Sequence, residues 1–410
     1  MNPAPKLAVI VTEFPKSTET FIYRDLVTFL EAGVELRLYH VAPYRAQQTL
    51  HGFARPLAAR AVDLGFWQPA ALLRALARRP RAVIGGIARM LWAYRAHPKI
   101  AAKSIALVPK ALAIADDART WGATHVHAEF AGHPATAAWL GHRAGGAPYS
   151  VSCRAHDLFR TQALLGDKLG EAQAVRTVSD FGRAFLQRTV PGMAARDIQV
   201  IHSSVDVARI SPVETPPSTT PFHILYVGAL EPKKGVGHLL DALVIAGNRL
   251  GDWRCTLIGH GPDADALRAR AAALGLGDRV RFAGMQPFEA VAEAYATASV
   301  CVAPSVIGPN GRQEGIPNVM IEALAYQRPA ITTAISGIPE LIRDGDTGLL
   351  VPPGDAGALA AALLRVHADP AAALDMARRG RAHVANEFDL AVNARRQLAL
   401  FFPETTPAAQ

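Results

Sequence analysis

Two glutamates separated by seven residues stand in the run Gln313-Glu314-Gly315-Ile316-Pro317-Asn318-Val319-Met320-Ile321-Glu322-Ala323. Pro317 suits the first position of a helix, because proline lacks the N–H that would find no partner there. A helix begun at Pro317 leaves Glu314 in the loop before it and carries Glu322 more than one turn inside. The N–H groups of that first turn and the positive end of the helix dipole form a place for a phosphate. A carboxylate on either side can hold neutral hydroxyls, such as a phosphorylated sugar would present. On its own the pair reads equally well as a surface loop residue and a helix-dipole partner, and the rest of the chain decides.

The elements that would position these residues alternate strand with helix. Leu7–Val11, Glu35–Tyr39, His125–Ala128, Tyr149–Ser152, Ala174–Val178 and Gln199–Ile201 are short apolar runs of the kind buried in parallel sheets. Thr215-Pro216-Pro217-Ser218-Thr219-Thr220-Pro221 interrupts them as an expected linker. The pattern then resumes with strands at Ile224–Val227, Cys255–Ile258, Val280–Phe282, Val300–Val302, Ala330–Thr332 and Leu349–Val351. Helices are expected between them, among them Val236–Ile245, Pro317–Tyr326 and Pro370–Asn386. Such alternation on both sides of a linker implies two doubly wound α/β domains, with ligands at the C-terminal ends of the strands and a cleft between the two domains. After the first strand of the second half comes Gly228-Ala229-Leu230-Glu231-Pro232-Lys233-Lys234-Gly235, a turn whose lysines can reach a phosphate. It lacks the Gly-Lys-Ser/Thr order of a Walker loop. Gly259-His260-Gly261-Pro262 follows the next strand.

At 410 residues, half of them hydrophobic and 19% charged, the chain is a globular protein of two domains. Cys153, Cys255 and Cys301 are far apart in sequence and read as buried thiols in a reducing compartment. No run has the length of a membrane span and Leu7–Val11 is too short for a signal-peptide core, so a cytoplasmic location is expected. The net charge of +8 is uneven. Between Phe66 and Lys110 stand nine basic residues and no acidic ones: Arg74, Arg78, Arg79, Arg81, Arg89, Arg95, Lys99, Lys103 and Lys110. Phe66, Trp67, Leu73, Ile84, Met90, Leu91 and Trp92 are interleaved with them. That mixture suits an anionic membrane surface. Nucleic acid is the competing partner, but no nucleic-acid-binding motif accompanies the charge. His125, His127 and His133 lack the spacing of a metal site, and no metal is expected. No Gly-x-Ser-x-Gly elbow marks a hydrolase.

Taken in order, Gly228-Ala229-Leu230…Lys234-Gly235, Gly259-x-Gly261, Pro304-Ser305, Glu314…Glu322, Ser336-Gly337-Ile338-Pro339-Glu340 and Gly345-Asp346-Thr347-Gly348 resemble the retaining family 4 glycosyltransferases of the GT-B fold. The likeness continues through the first half. Phe14-Pro15-Lys16-Ser17-Thr18-Glu19-Thr20-Phe21-Ile22, His125-Val126-His127-Ala128-Glu129-Phe130 and Ala155-His156-Asp157 are similar to the colanic acid and exopolysaccharide branch.

The resemblance implies an N-terminal acceptor domain over 1–205, rejoined by the C-terminal helix 387–410, a linker over 206–221, and a nucleotide-sugar domain over 222–386. It implies that Glu322 binds the ribose hydroxyls, that Glu314 lies against the transferred sugar, and that Lys234 neutralises the diphosphate. His156 would approach the donor sugar from the first domain. Gly228, Lys233, Gly259 and the segment Gly315, Ile316, Pro317, Asn318 and Val319 would complete the donor site, with Glu340 supporting the nucleotide side. Lys16, Glu19 and Arg154 would lie on the acceptor side. The implied reaction is metal-independent transfer, without a cofactor, from a UDP- or GDP-sugar to a lipid-linked or oligosaccharide acceptor. It would run at the inner face of the cell membrane, with retention by front-face displacement rather than through Glu314 as nucleophile. Three residues depart from the family pattern: Ala229 replaces a frequent arginine, Arg154 a frequent histidine and Ser204 a frequent glycine. A catalytically silent nucleotide-sugar-binding subunit is the alternative, which retention of both glutamates disfavours.

Overall fold

The computed structural model of the chain describes residues 4–16, 19–45, 52–154 and 161–403. Ser17, Thr18, Ala155, His156 and Asp157 lie outside the described residues. The chain divides into two compact units, Met1–His202 with Asn393–Gln410, and Ser203–Val392.

The first unit is built on a parallel sheet of β1 (Lys6–Val11), β2 (Glu35–His40), β3 (Ala61–Val62), β4 (His125–Glu129), β5 (Tyr149–Cys153), β6 (Ala174–Thr177) and β7 (Gln199–Val200), in the order β3-β2-β1-β4-β5-β6-β7. The second unit carries β8 (Phe222–Val227), β9 (Trp253–Ile258), β10 (Val280–Gly284), β11 (Val300–Ala303), β12 (Ala330–Thr333) and β13 (Leu349–Val351), ordered β10-β9-β8-β11-β12-β13. Counted within each unit, both orders begin 3-2-1-4-5-6, the doubly wound arrangement. The expected strands all form, because parallel strands covered on both faces need unbroken apolar runs. Leu7 to Val11 and every residue of β11 and β12 are buried. The edge strand β3 was not foreseen, since two residues carry no readable pattern.

The Pro-rich stretch expected as a linker is fastened along the second unit. Val213 N–H donates to Tyr326 O (3.1 Å), Arg328 Nη2 to Val213 O (3.2 Å) and Ser299 Oγ to Ser218 O (2.7 Å). The last helix, Leu390–Phe401, runs out of the second unit into the first. There Gln397 Nε2 donates to Asp25 Oδ2 (3.2 Å), and the Phe401 ring lies edge-on to Phe29 at 5.9 Å and 4.4 Å from the His127 ring. Cys153, Cys255 and Cys301 are buried in separate strands, and burial pushes the Cys255 and Cys301 thiols up to about 12.

In each unit the chain reverses direction across the sheet between its first and fourth strands, and loops diverge there to leave a crevice. In the second unit the loops after β8 and β9 close on each other backbone to backbone. A Cβ on Gly259 would stand 1.9 Å from Gly228 O, at a φ of +138° that side-chain-bearing residues avoid. Gly259→Ala should therefore lower stability by at least about 2 kcal/mol. The expected readout is a denaturant midpoint that falls with an unchanged slope.

Candidate functional site

The crevice of the second unit is formed by the loops that leave β8 and β11. Gly235 ends the short turn Pro232–Lys234 in the left-handed conformation, at φ +66°. Any Cβ there would meet Pro304 O at 1.9 Å, so only glycine lets the two loops touch. Val306 N–H then donates to Lys233 O (2.8 Å) and pins them together. This contact brings both lysines to Glu314. Lys233 Nζ lies 2.6 Å from Glu314 Oε1, and Lys234 Nζ lies 2.8 Å from Oε2. Burial would raise the Glu314 carboxyl, but Lys234 and Lys233 together hold it below the usual carboxylate range. Glu314 is thus an ionised, largely buried group rather than a surface loop residue. At the position of the missing arginine, the Ala229 carbonyl accepts from Tyr226 Oη (2.7 Å).

The helix that follows spans Asn318–Ala325 and packs Met320, Ile321, Ala323, Leu324 and Ala325 into the core. Pro317 stands one place earlier than expected. It is the N-cap, with ψ 120°, and its carbonyl accepts from Met320 N–H at 3.0 Å and Ile321 N–H at 3.4 Å. Helix geometry leaves the N–H groups of Asn318 and Val319 without an intrahelical acceptor. Glu322, half-buried, receives the hydroxyl of the buried Tyr295 at Oε2 (3.3 Å). Tyr295 was not picked out from the sequence. Its signal was a polar tip on the apolar face of the helix Phe288–Thr297. Glu340 accepts at its backbone carbonyl from His383 Nε2 (2.8 Å).

The crevice of the first unit holds a buried ionic cluster. Arg154 Nη2 lies 3.2 Å from Glu129 Oε2, and Arg176 Nη2 lies 3.6 Å from Glu129 Oε1 and 3.8 Å from Asp25 Oδ2. Arg176 Nε donates to Ser152 Oγ (2.6 Å), and His127 bridges Ser150 and Ser152 at 2.7 and 2.8 Å. His125 and His127 are thus hydrogen-bonded core residues. Burial acts to raise Glu129, yet Arg154, His127 and Arg176 hold it well below the ordinary range, whereas burial leaves Asp25 and Glu19 raised. Lys16 Nζ pairs with Glu19 Oε1 (2.7 Å) and reaches Glu13 Oε2 (3.8 Å). Lys16, Glu19 and Arg154 thus share one region of the first unit. Asp25 and Arg176 were missed in sequence, where the clue was a charge inside an apolar run.

The basic stretch forms the helices Pro69–Arg78, Pro80–Ala93 and the first turns of Pro98–Trp121. Trp67, Leu73, Ile84 and Trp92 are 84, 67, 58 and 56% exposed. The charge is less available than the sequence suggested. Lys110 and Met90 are buried. Arg74 and Arg78 bond to Asp116 (2.8 Å each), and Arg89 bonds to Asp167 (2.8 Å). Arg79, Arg81, Arg95, Lys99 and Lys103 remain on the exposed surface. Among the described residues no helix is long and apolar enough to cross a membrane.

Two parallel-sheet Rossmann-like units make this a GT-B fold, and the second unit is similar to a family of glycosyltransferases. Residues 221–369 match the family model described as "Glycosyl transferases group 1". Over 397 residues, 94% of this chain and 96% of its relative, it is 29% identical to the protein named as the colanic acid biosynthesis glycosyltransferase WcaL of Escherichia coli K12. Over 179 residues, 44% of each chain, it is 37% identical to the amylovoran biosynthesis glycosyltransferase AmsK of Erwinia amylovora. Anabaena HepE, solved in complex with UDP-glucose, superimposes with a TM-score of 0.68 at 17% identity, covering 96% of this chain and 98% of that one.

Removing Arg176 leaves Glu129 and Asp25 buried with less compensation, so Arg176→Ala should cost about 3–5 kcal/mol in equilibrium unfolding. The Glu129 value is lower folded than unfolded. Its stabilising contribution is therefore complete above about pH 5 and drains away as pH falls, and a pH titration of stability should show it.

Proposed function

We propose that this protein transfers a sugar, with retention, from a nucleotide-sugar donor held in the second unit to a saccharide acceptor during assembly of a surface polysaccharide. The convergence of Lys233 and Lys234 on Glu314 beside a helix N-terminus carries this reading. The relatives named for colanic acid and amylovoran biosynthesis support the polysaccharide context. The HepE complexes support a UDP-sugar as the first donor to test.

Breaking the anomeric C–O bond leaves its electron pair and a growing negative charge on the diphosphate. Lys233, Lys234 and the N–H groups of Asn318 and Val319 stabilise that charge from fixed positions, without a metal. Two ammonium groups there offset the loss of a guanidinium at Ala229. Glu322 accepts hydrogen bonds from the ribose hydroxyls. Glu314 exchanges its lysines for hydroxyls of the transferred sugar. The acceptor oxygen attacks from the face the diphosphate leaves, and a phosphate oxygen takes its proton. Lys16, Glu19 and Arg154 bind the acceptor, and His156 acts on the donor sugar.

The acceptor is lipid-linked, and the exposed face bearing Trp67, Leu73, Ile84 and Trp92 rests on the inner leaflet. Arg79, Arg81, Arg95, Lys99 and Lys103 meet its anionic headgroups. Each such charge contributes about 1 kcal/mol, so Lys99→Gln with Lys103→Gln should weaken sedimentation with anionic vesicles roughly thirtyfold. Binding indifferent to salt and lipid charge would rule the surface out.

The donor reading is tested by thermal shift against UDP, GDP, ADP and their sugar conjugates, since a ligand of the folded state raises the melting temperature. One base should stabilise the protein, and Glu322→Ala should abolish that shift. Glu314→Ala should abolish transfer while leaving nucleotide binding largely intact. Full transfer activity in Glu314→Ala would refute its role.

A further inference from the structure

We infer that Tyr295 is a positioning residue for the donor: its hydroxyl aims the Glu322 carboxylate at the ribose diol. This rests on the ribose-binding role proposed above for Glu322. Tyr295 belongs to the helix Phe288–Thr297, yet its side chain passes under the helix Asn318–Ala325 and is 2% exposed. Its Oη lies 3.1 Å from Val319 O and 3.3 Å from Glu322 Oε2, so one proton is shared between them. The Val319 carbonyl already has an acceptor's place in the helix ladder. The hydroxyl is therefore not needed to satisfy that carbonyl, and what it adds is a fixed direction for the carboxylate.

The ring is itself fixed. It stacks on Tyr326 with centroids 5.3 Å apart and planes 14° from parallel, and Tyr326 N–H donates to Glu322 O (2.9 Å). Backbone and side chain of Glu322 are thus both tied to the same aromatic pair. A carboxylate that must accept from two neighbouring hydroxyls at once needs its plane set in advance. A hydrogen bond to one oxygen from a rigid donor sets that plane.

Tyr295→Phe keeps the ring and its stack and removes only the hydroxyl. The test compares calorimetric binding of UDP and 2′,3′-dideoxy-UDP, with the guanosine pair in parallel, in wild-type protein and in Tyr295→Phe. The wild type should prefer the ribonucleotide at least tenfold, and Tyr295→Phe should cut that preference about five- to tenfold with little change in affinity for the dideoxy compound. In a Glu322→Gln background the same substitution should have no further effect. A wild-type preference left intact in Tyr295→Phe would overturn the role of Tyr295 while sparing that of Glu322. A wild type that does not distinguish the two sugars, or binds neither base, would overturn the ribose-binding role and this inference with it. A purely structural hydroxyl would shift the melting temperature and weaken both compounds equally, which would also refute it.

Discussion

The second unit depends on one close approach, that of the turn after β8 to the turn after β11. Gly235 permits it, and the meeting of Lys233 and Lys234 with Glu314 follows from it. Lys233 and Lys234 come from one loop and Glu314 from the other, so the ion triplet exists only while the loops stay pinned. Direction reversal across the sheet opens the crevice, but a crevice is only space. What fills it is the pair of loops that meet there and the charged groups they bring together.

The two units share a strand order and spend charge differently. In the first, Arg176, Glu129 and Asp25 are almost wholly buried, where desolvation consumes much of what attraction returns. Such a cluster specifies one arrangement more than it stabilises. In the second, Lys233, Lys234 and Glu314 keep 21, 17 and 12% of their side chains exposed. Water and an incoming anion can reach them, and the groups can change partners at modest cost.

The strands were legible because parallel strands covered on both faces must be continuous apolar runs, and β11 and β12 are buried at every position. The glutamate pair stood out because Pro317 marks the start of a helix between its two members. Contacts across the fold were not. Nothing local announces that Lys233 and Glu314, eighty-one positions apart in the chain, form a 2.6 Å pair. Nor does it announce that Tyr295 reaches Glu322, or that Lys110 is buried under Phe66. Basic residues along a helix look alike in sequence whether they face solvent or an aspartate such as Asp116. Pro317 shows the limit of cap reading, since proline also serves as the residue before a helix.

Gly235 and Gly259 have a consequence for how such chains age. Their missing side chains are demanded by carbonyls of the protein itself, Pro304 O and Gly228 O, and not by a ligand. A descendant that ceased to turn over substrate would keep both glycines as long as it folded, while its lysines and glutamates drifted. The glycines in this motif are a record of architecture, and on the proposed reading the charged residues beside them are a record of use.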